Sequence, residues 1–357
     1  MKVLAALSGG VDSTVAAALL LDAGHDVVGV TMKLWGGESD TGCCSVSDVE
    51  DARRAAAQLD VDHHVFNFAD EFDRHVVAPY VADHLAGRTP NPCVECNRHL
   101  KFDVLLRRAE LLGFDAVATG HHARAVDLTA GGRRIARGAD PAKDQSYVLY
   151  PLTAGELDDV LLPVGEMTKE QVRRLASERG LRTADKPDSQ DVCFITRSEG
   201  RGPFLSARAE LHPGRVVDRT GATVGAVDAV ELVTIGQRRG LELAGGTGRR
   251  FVTDVDVESR TVTVGGPGDL LDERLVVSQV VWADGPTEGD VRVQCSAHGR
   301  PAPAHATVGD DGTVELRWTD PQRRVAAGQS VVLYRDLPTA QGALEVVVGG
   351  GIVSPRP

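Results

Sequence analysis

One short stretch leaves little freedom in how this chain begins to fold. Leu7-Ser8-Gly9-Gly10-Val11-Asp12-Ser13-Thr14 stands directly after an apolar run and directly before a helical one. Lys2 to Leu7 reads as a buried strand. Val15 to Ala23 reads as a helix closed by Gly24, a residue suited to the left-handed position after a helix. The stretch is therefore a strand-to-helix turn. Gly9 and Gly10 let backbone come close to an anion, Ser8, Ser13 and Thr14 add hydroxyls, and the first helical N–H groups point at the same place. A phosphate is the expected occupant. A Walker-type loop would space its glycines more widely and end in Gly-Lys-Ser/Thr, with the lysine on the outer phosphates. This loop contains no lysine.

Up to about Thr119 strands and helices alternate, with strands expected at Lys2 to Leu7, Asp26 to Met32, Asp62 to Phe68 and Asp115 to Thr119. That pattern predicts an α/β fold with a doubly wound parallel sheet, in which ligands sit beyond the carboxyl ends of the strands. The loop at Ser8, Met32 after the second strand and Gly120 after the fourth all fall on that edge. Ser47 with Glu50 predicts a capping box for a helix running to Leu59, Gly113 ends a helix starting near Asn97, and Thr168 with Gln171 caps another that stops at Gly180. From about Pro213 the texture changes to short alternating strands: Gly214 to Asp218, Arg250 to Val257 and Thr261 to Val264. After Pro267-Gly268 it continues with a hairpin signal at Asp310-Asp311-Gly312 and strands at Val314 to Trp318, Ser330 to Tyr334 and Leu344 to Val348. The expected organisation is a catalytic domain over 1–204, a small central β domain over 205–265 and a C-terminal β-barrel over 266–357.

At 357 residues the chain is long enough for two or three domains with ample cores. Its apolar runs are strand-sized or broken by charge, and a strand begins at once where a leader would stand. A cytoplasmic protein with no membrane segment is expected. The formal charge of -12 argues against nonspecific coating of nucleic acid, but leaves room for a local basic groove. Candidates for that groove are Arg133-Arg134 with Arg137 and Lys143, then Arg238-Arg239, then Arg249-Arg250.

Six cysteines, at 43, 44, 93, 96, 193 and 295, are too few and too scattered for a disulfide framework. Asn91-Pro92-Cys93-Val94-Glu95-Cys96-Asn97 places two of them just before a helix, a position that favours the thiolate and so a nucleophile. Cys193 lies in the polar stretch Asp188-Ser189-Gln190-Asp191-Val192-Cys193 and could fold back over the site. Cys43-Cys44 has no histidine at ligand spacing and is assigned nothing, and Cys295 reads as a small apolar residue of a β stretch. His63-His64 and His121-His122 invite a metal reading, but neighbours on a strand face opposite ways and a site needs three or four ligands, so a structural role is expected.

The Ser-Gly-Gly-Val-Asp-Ser-Thr loop resembles the PP-loop of ATP pyrophosphatases, which release pyrophosphate and adenylate an oxygen of their substrate. Nearly the whole chain resembles the tRNA-specific 2-thiouridylases of that superfamily. The resemblance is carried by the loop, by Gly87-Arg88-Thr89-Pro90-Asn91-Pro92 with Cys96-Asn97, by Ala118-Thr119-Gly120-His121, by Lys143-Asp144-Gln145-Ser146-Tyr147, by Cys193-Phe194-Ile195, by Gly236-Gln237-Arg238-Arg239-Gly240-Leu241 and by Gly349-Gly350-Gly351-Ile352. It implies a tRNA-uridine 2-sulfurtransferase, which uses ATP with Mg2+ to adenylate the C2 oxygen of the wobble uridine before sulfur displaces AMP. The target base would leave the anticodon stack to reach the site.

By the family pattern Cys193 receives a persulfide from a donor protein, a cysteine desulfurase or relay. Cys96 then attacks that persulfide and leaves a Cys96–Cys193 disulfide. ATP would sit on Ala6, Leu7, Ser8, Gly9, Gly10, Val11, Asp12, Ser13, Met32 and Gly120, with Asp12 helping to hold the magnesium. The target base would meet Asn91, Pro92 and Cys93, and tRNA would meet Lys143, Asp144 and Gln145, a stretch that also reads as a polar turn.

Two departures from the family stand out. Some members carry an aspartate where this chain has Cys93, so Cys93, Cys96 and Cys193 together could ligate an iron–sulfur cluster or serve a persulfide relay. An Arg-Tyr pair that meets tRNA in some members is His298-Gly299 here, followed by Arg300. Two rival functions are another PP-loop adenylating enzyme that joins ammonia to an activated group, and a noncatalytic tRNA-binding protein with ATP as a structural ligand. The first would not need Cys96 and Cys193, and the second would release no pyrophosphate.

Overall fold

Strand β1 (Lys2–Ala6) sends alternate side chains to opposite faces of a sheet, and both faces are covered. Val3 and Ala5 pack with Ala17, Leu20, Ala52 and Ala56, which belong to helices α1 (Val11–Asp22) and α2 (Val46–Gln58). Leu4 packs the other way with Val30, Val117, Leu100 and Leu105, against helical runs over 69–85 and 92–111. The computed structural model describes residues 1–35, 46–188, 192–195, 200–243 and 249–356, so Cys43 and Cys44 lie outside the described residues.

The sheet is parallel throughout, in the order β3 (His63–Asn67), β2 (Asp26–Lys33), β1, β4 (Ala116–Ala118) and a two-residue strand, Val160–Leu161. The last strand is too short to show a period in sequence. It docks because Val160 is fully buried beside Val117. The doubly wound α/β reading holds, and the loop after β1 opens at the carboxyl edge of the sheet.

Two helix starts differ from the sequence reading. Helix α2 is described from Val46, which puts Ser47 within the helix, and Glu50 pairs with Arg53 at 2.9 Å. The helix expected from Asn97 begins at Pro92. Asn91 is its N-cap and accepts from the Cys93 N–H at 3.1 Å, with proline in the first turn, where its missing N–H costs nothing. Both Cys93 and Cys96 therefore lie inside the helix. From Cys96 to Val104 the run widens into π-type turns before it returns to α. The Thr168 capping box forms in full, with Thr168 N donating to Gln171 Oε1 at 2.7 Å and Gln171 N to Thr168 Oγ1 at 3.2 Å.

Four strands, Gly214–Val217, Thr223–Val227, Phe251–Asp256 and Thr261–Gly265, form a small sheet over an apolar core of Val216, Val230, Val252 and Val262. Six more, from Leu271–Trp282 to Gly342–Val353, close into an antiparallel barrel through the pairing of its first and last strands. A hairpin from the first third of the chain, Ala123–Asp127 with Arg133–Arg137, extends the barrel sheet where Ala136 pairs with Val346.

This hairpin overturns one basic-groove candidate. Arg134 is 5% exposed and reaches Asp284 at 2.8 Å, while Arg137 bonds Asp144 at 2.8 Å and Glu345 at 3.0 Å and lies over the Tyr334 ring. These arginines tie hairpin to barrel. Arg238, Arg239 and Arg249 stay exposed. No described helix is long and apolar enough to cross a membrane.

Candidate active site

The loop after β1 is shaped by its glycines and hydroxyls. Gly9 has φ +72°, and a Cβ there would stand 2.5 Å from the Asp48 carbonyl oxygen. Gly120, just beyond β4, is pressed onto the same loop from the other side, where a Cβ would lie 2.5 Å from Ser13 N. Ser13 Oγ donates to the Gly10 carbonyl at 3.1 Å and accepts from Ser8 N at 3.2 Å, and Thr14 Oγ1 donates to the same carbonyl at 2.9 Å. The loop is thereby tied to the first turn of α1, for which Gly10 is the N-cap. Ala6 and Leu7 lead into it, and Leu7 N donates to the Val30 carbonyl at 2.8 Å. Met32 follows two residues later on β2, at the same edge. The structure thus brings together every residue of the expected nucleotide pocket.

Asp12 stands in the first turn of α1 and is not alone. Lys169 Nζ donates to its two carboxylate oxygens at 2.8 and 2.7 Å, and His122 Nε2 lies 3.1 Å from Oδ1. Burial works to raise the Asp12 pKa, but the His122 and Lys169 bonds outweigh it and hold the carboxyl below its ordinary range. Lys169 also reaches Asp188 at 2.8 Å, and Asp188 is met in turn by Lys143 and Arg173, each at 2.8 Å. Lys143 and Lys169 overcome the burial of Asp188 and keep it ionised far down the pH scale.

The thiols occupy a different medium. Cys96 is buried and Cys193 half-buried, and both belong to one apolar cluster with Phe72, Tyr80, Phe194 and Phe204. The Phe194 ring lies 5.6 Å from Phe72, 5.4 Å from Tyr80 and 5.2 Å from Phe204. The cluster also contains Leu4 of β1 and Val30 of β2, the strands whose ends form the loop pocket. Cys93, one helical turn before Cys96, is half-buried. The strip leading to it is clamped from the barrel side: Thr89 N donates to the Ala327 carbonyl at 2.8 Å, and Gln329 Nε2 to the Thr89 carbonyl at 2.6 Å.

Of the stretch Lys143-Asp144-Gln145, the structure turns one carboxylate inward. Asp144 accepts from Arg137, Gly138 N and the Ser146 N–H and hydroxyl, which makes it the staple of a polar turn. Gln145 Oε1 accepts from His122 N at 2.9 Å, and the Lys143 ammonium is the outward group. Cys295 is half-buried in the barrel wall, its thiol pushed up to about 12 by burial.

Comparison with known proteins places this geometry. A family described as "tRNA methyl transferase HUP domain" matches residues 1–197, a PRC-barrel domain of the same series matches 202–266, and an "aminomethyltransferase beta-barrel domain" matches 272–353. The tRNA-specific 2-thiouridylase MnmA of Herpetosiphon aurantiacus is 44% identical over 99% of this chain and 98% of its own. The protein of that name from Beutenbergia cavernae is 47% identical over 100% and 98%, and that from Rhodococcus erythropolis 46% over 99% and 98%. The chain belongs to the tRNA-specific 2-thiouridylase family.

Within this 2-thiouridylase the sequence singles out Lys169 nowhere, names Asp188 only as part of the stretch before Cys193, and gives His122 only a structural role. The structure instead puts the His122 ring on Asp12. Its neighbour His121 does fit that reading: Thr119 Oγ1 lies 2.7 Å from Nδ1, and burial pushes the imidazole well below its ordinary pKa. His63 is likewise held by Thr31 Oγ1 at 2.8 Å. Among the described residues no three His, Cys, Asp or Glu side chains come together as a metal site. The three thiols Cys93, Cys96 and Cys193 are thus not seen gathered as a cluster site among those residues. A magnesium ion brought in on phosphates needs only one or two carboxylates, and Asp12 fits that need.

Proposed function

We propose that this 2-thiouridylase replaces the C2 oxygen of the wobble uridine of tRNA by sulfur, at the expense of ATP. The observation that carries the reading is that Cys96 and Cys193, far apart in sequence, pack into one apolar cluster built on the strands that end at the phosphate loop. A uracil carbonyl is a poor electrophile, so its oxygen must first become a leaving group. The uridine O2 attacks the α-phosphorus of ATP held by the loop, and pyrophosphate departs. Loop amides and hydroxyls over Ser8–Ser13 bind the phosphates, with Met32 and Gly120 on the nucleoside side, and Asp12 would hold a magnesium ion, whose charge would offset that of the phosphates.

Sulfur then replaces AMP at C2. A donor protein loads Cys193 as a persulfide, and the Cys96 thiolate attacks its inner sulfur. The terminal sulfur is released to the base, a Cys96–Cys193 disulfide remains, and a thiol reductant resets it. Asn91, Pro92 and Cys93 border the base, and Lys143 with its turn meets the tRNA backbone, where the ammonium held on Asp188 keeps protons to offer a phosphate. The working division is a catalytic domain over 1–204, a central module over 205–265 and a barrel over 266–357, acting in the cytoplasm where the tRNA is made.

The decisive experiment incubates the protein with ATP, a cysteine desulfurase with free cysteine as persulfide donor, a thiol reductant and unmodified tRNA bearing a wobble uridine, followed by nucleoside mass spectrometry. An oxygen-to-sulfur exchange is expected, lost in Cys96→Ala and Cys193→Ala. An added methyl group, or pyrophosphate without any change to the base, refutes it.

A further inference from the structure

The phosphate loop has an anion cradle but no lysine of its own, and the fold brings one to it from elsewhere. Lys169 opens the Lys169–Glu178 helix, distant in sequence, and its side chain, 12% exposed, ends at Asp12 in the first turn of α1. All three ammonium protons are directed: two to Asp12 at 2.8 and 2.7 Å and one to Asp188 at 2.8 Å. A mostly buried ion pair contributes little net stability, so the arrangement calls for another use. Each carboxylate has a further partner besides Lys169. Asp12 keeps His122 at 3.1 Å, and Asp188 keeps Lys143 and Arg173, each at 2.8 Å. The ammonium can therefore swing about Asp188 toward the loop without stranding a charge.

We propose that Lys169 is the phosphate-binding lysine of this loop, taking the outer phosphates of ATP while Asp12 turns to the magnesium they carry. This rests on the ATP reading above. The ammonium stays protonated and exchanges no bond. It offsets the charge that gathers on pyrophosphate as the bond to the α-phosphorus breaks, while Asp188 fixes its direction. The chain thus supplies through tertiary structure what a Walker loop carries within its own sequence.

The test is equilibrium binding of ATP, pyrophosphate and adenosine to the full-length wild type, Lys169→Met and Lys169→Arg. In Lys169→Met, ATP and pyrophosphate should bind at least about tenfold more weakly and adenosine within about twofold of wild type, with Lys169→Arg recovering most of the ATP affinity. Unchanged ATP affinity in Lys169→Met overturns the inference. So does a parallel loss of ATP and adenosine in both variants, the mark of a scaffold residue. A wild type that binds neither ATP nor pyrophosphate brings down the ATP reading itself, whereas a binding wild type with an indifferent Lys169→Met brings down this inference alone.

Discussion

The phosphate loop and the thiol cluster share strands β1, β2 and β4 and almost nothing else. Around the loop, Asp12, Lys169, Asp188, Lys143, Arg173 and His122 form a continuous chain of charge-assisted contacts. Around the thiols, Phe72, Tyr80, Phe194, Phe204 and Trp35 make an aromatic box. Each medium suits one half of a two-step reaction. Displacement at phosphorus needs preorganised charge, and a persulfide survives best where water and stray nucleophiles are excluded. One sheet serves both because side chains alternate along its strands and its loops open at one edge.

Removing a thiol cuts most sharply between the two halves. Cys96→Ala or Cys193→Ala should lower 2-thiouridine formation by roughly a thousandfold, with tRNA-dependent pyrophosphate release kept within a few-fold. Loss of pyrophosphate release as well would mean that the halves are not separable. The complementary break is Gly120→Ala, whose Cβ would lie 2.5 Å from Ser13 N and 2.6 Å from the Asp12 carbonyl carbon. Backbone must move there, so ATP affinity should fall by roughly a hundredfold, read by equilibrium binding. Normal ATP affinity in that variant would show that Gly120 is not part of the cradle.

Phe194→Ala sharpens the comparison on its apolar side. The ring is 5% exposed and touches four other aromatics, so its loss should cost about 3 kcal/mol in urea unfolding. Admitting water beside Cys193 should also slow thiolation by about tenfold while pyrophosphate release changes by less than about twofold. An equal fall in both rates would deny the apolar box a role specific to sulfur.

The two regions also differed in how far they could be read from sequence. The loop was legible because its glycines and hydroxyls are contiguous and sit between a strand and a helix. Both cysteines were legible because each stands in a recognisable run. The charges that complete the loop were not. Lys169 looks like an ordinary surface residue at a helix start, and only the packing of Val172 and Ala176 against Val11 and Val15 carries it to Asp12. Arg137 misled for the opposite reason: a run of arginines suggests a surface, and only the pairing of Ala136 with Val346 buries it against Glu345. Local patterns report what neighbours in sequence do, whereas compensation of charge is settled between elements that sequence does not place side by side.

The smallest effect concerns the seam where the helical run over 69–85 meets the central module. His84 is 2% exposed, and its pKa is lowered to about 4, chiefly by burial and then by Arg201, against a hydrogen bond from its ring to the Glu231 backbone carbonyl that works to raise it. Because the folded value lies below the ordinary 6.5, the neutral ring is the one the fold accepts. Its contribution is present in full above about pH 6.5, where both states are neutral. As pH falls toward 4 the unfolded chain takes up a proton that the folded chain refuses, and stability is lost. At pH 5 the loss from this one group should be about 2 kcal/mol. His63 and His121 are shifted in the same direction, so the difference between wild type and His84→Gln isolates the share of His84. Urea midpoints measured from pH 7.5 to 4.5 should fall less steeply in the variant. Parallel curves would place the acid sensitivity of this seam elsewhere, and with it the idea that a neutral His84 is what lets the helical run dock on the central module.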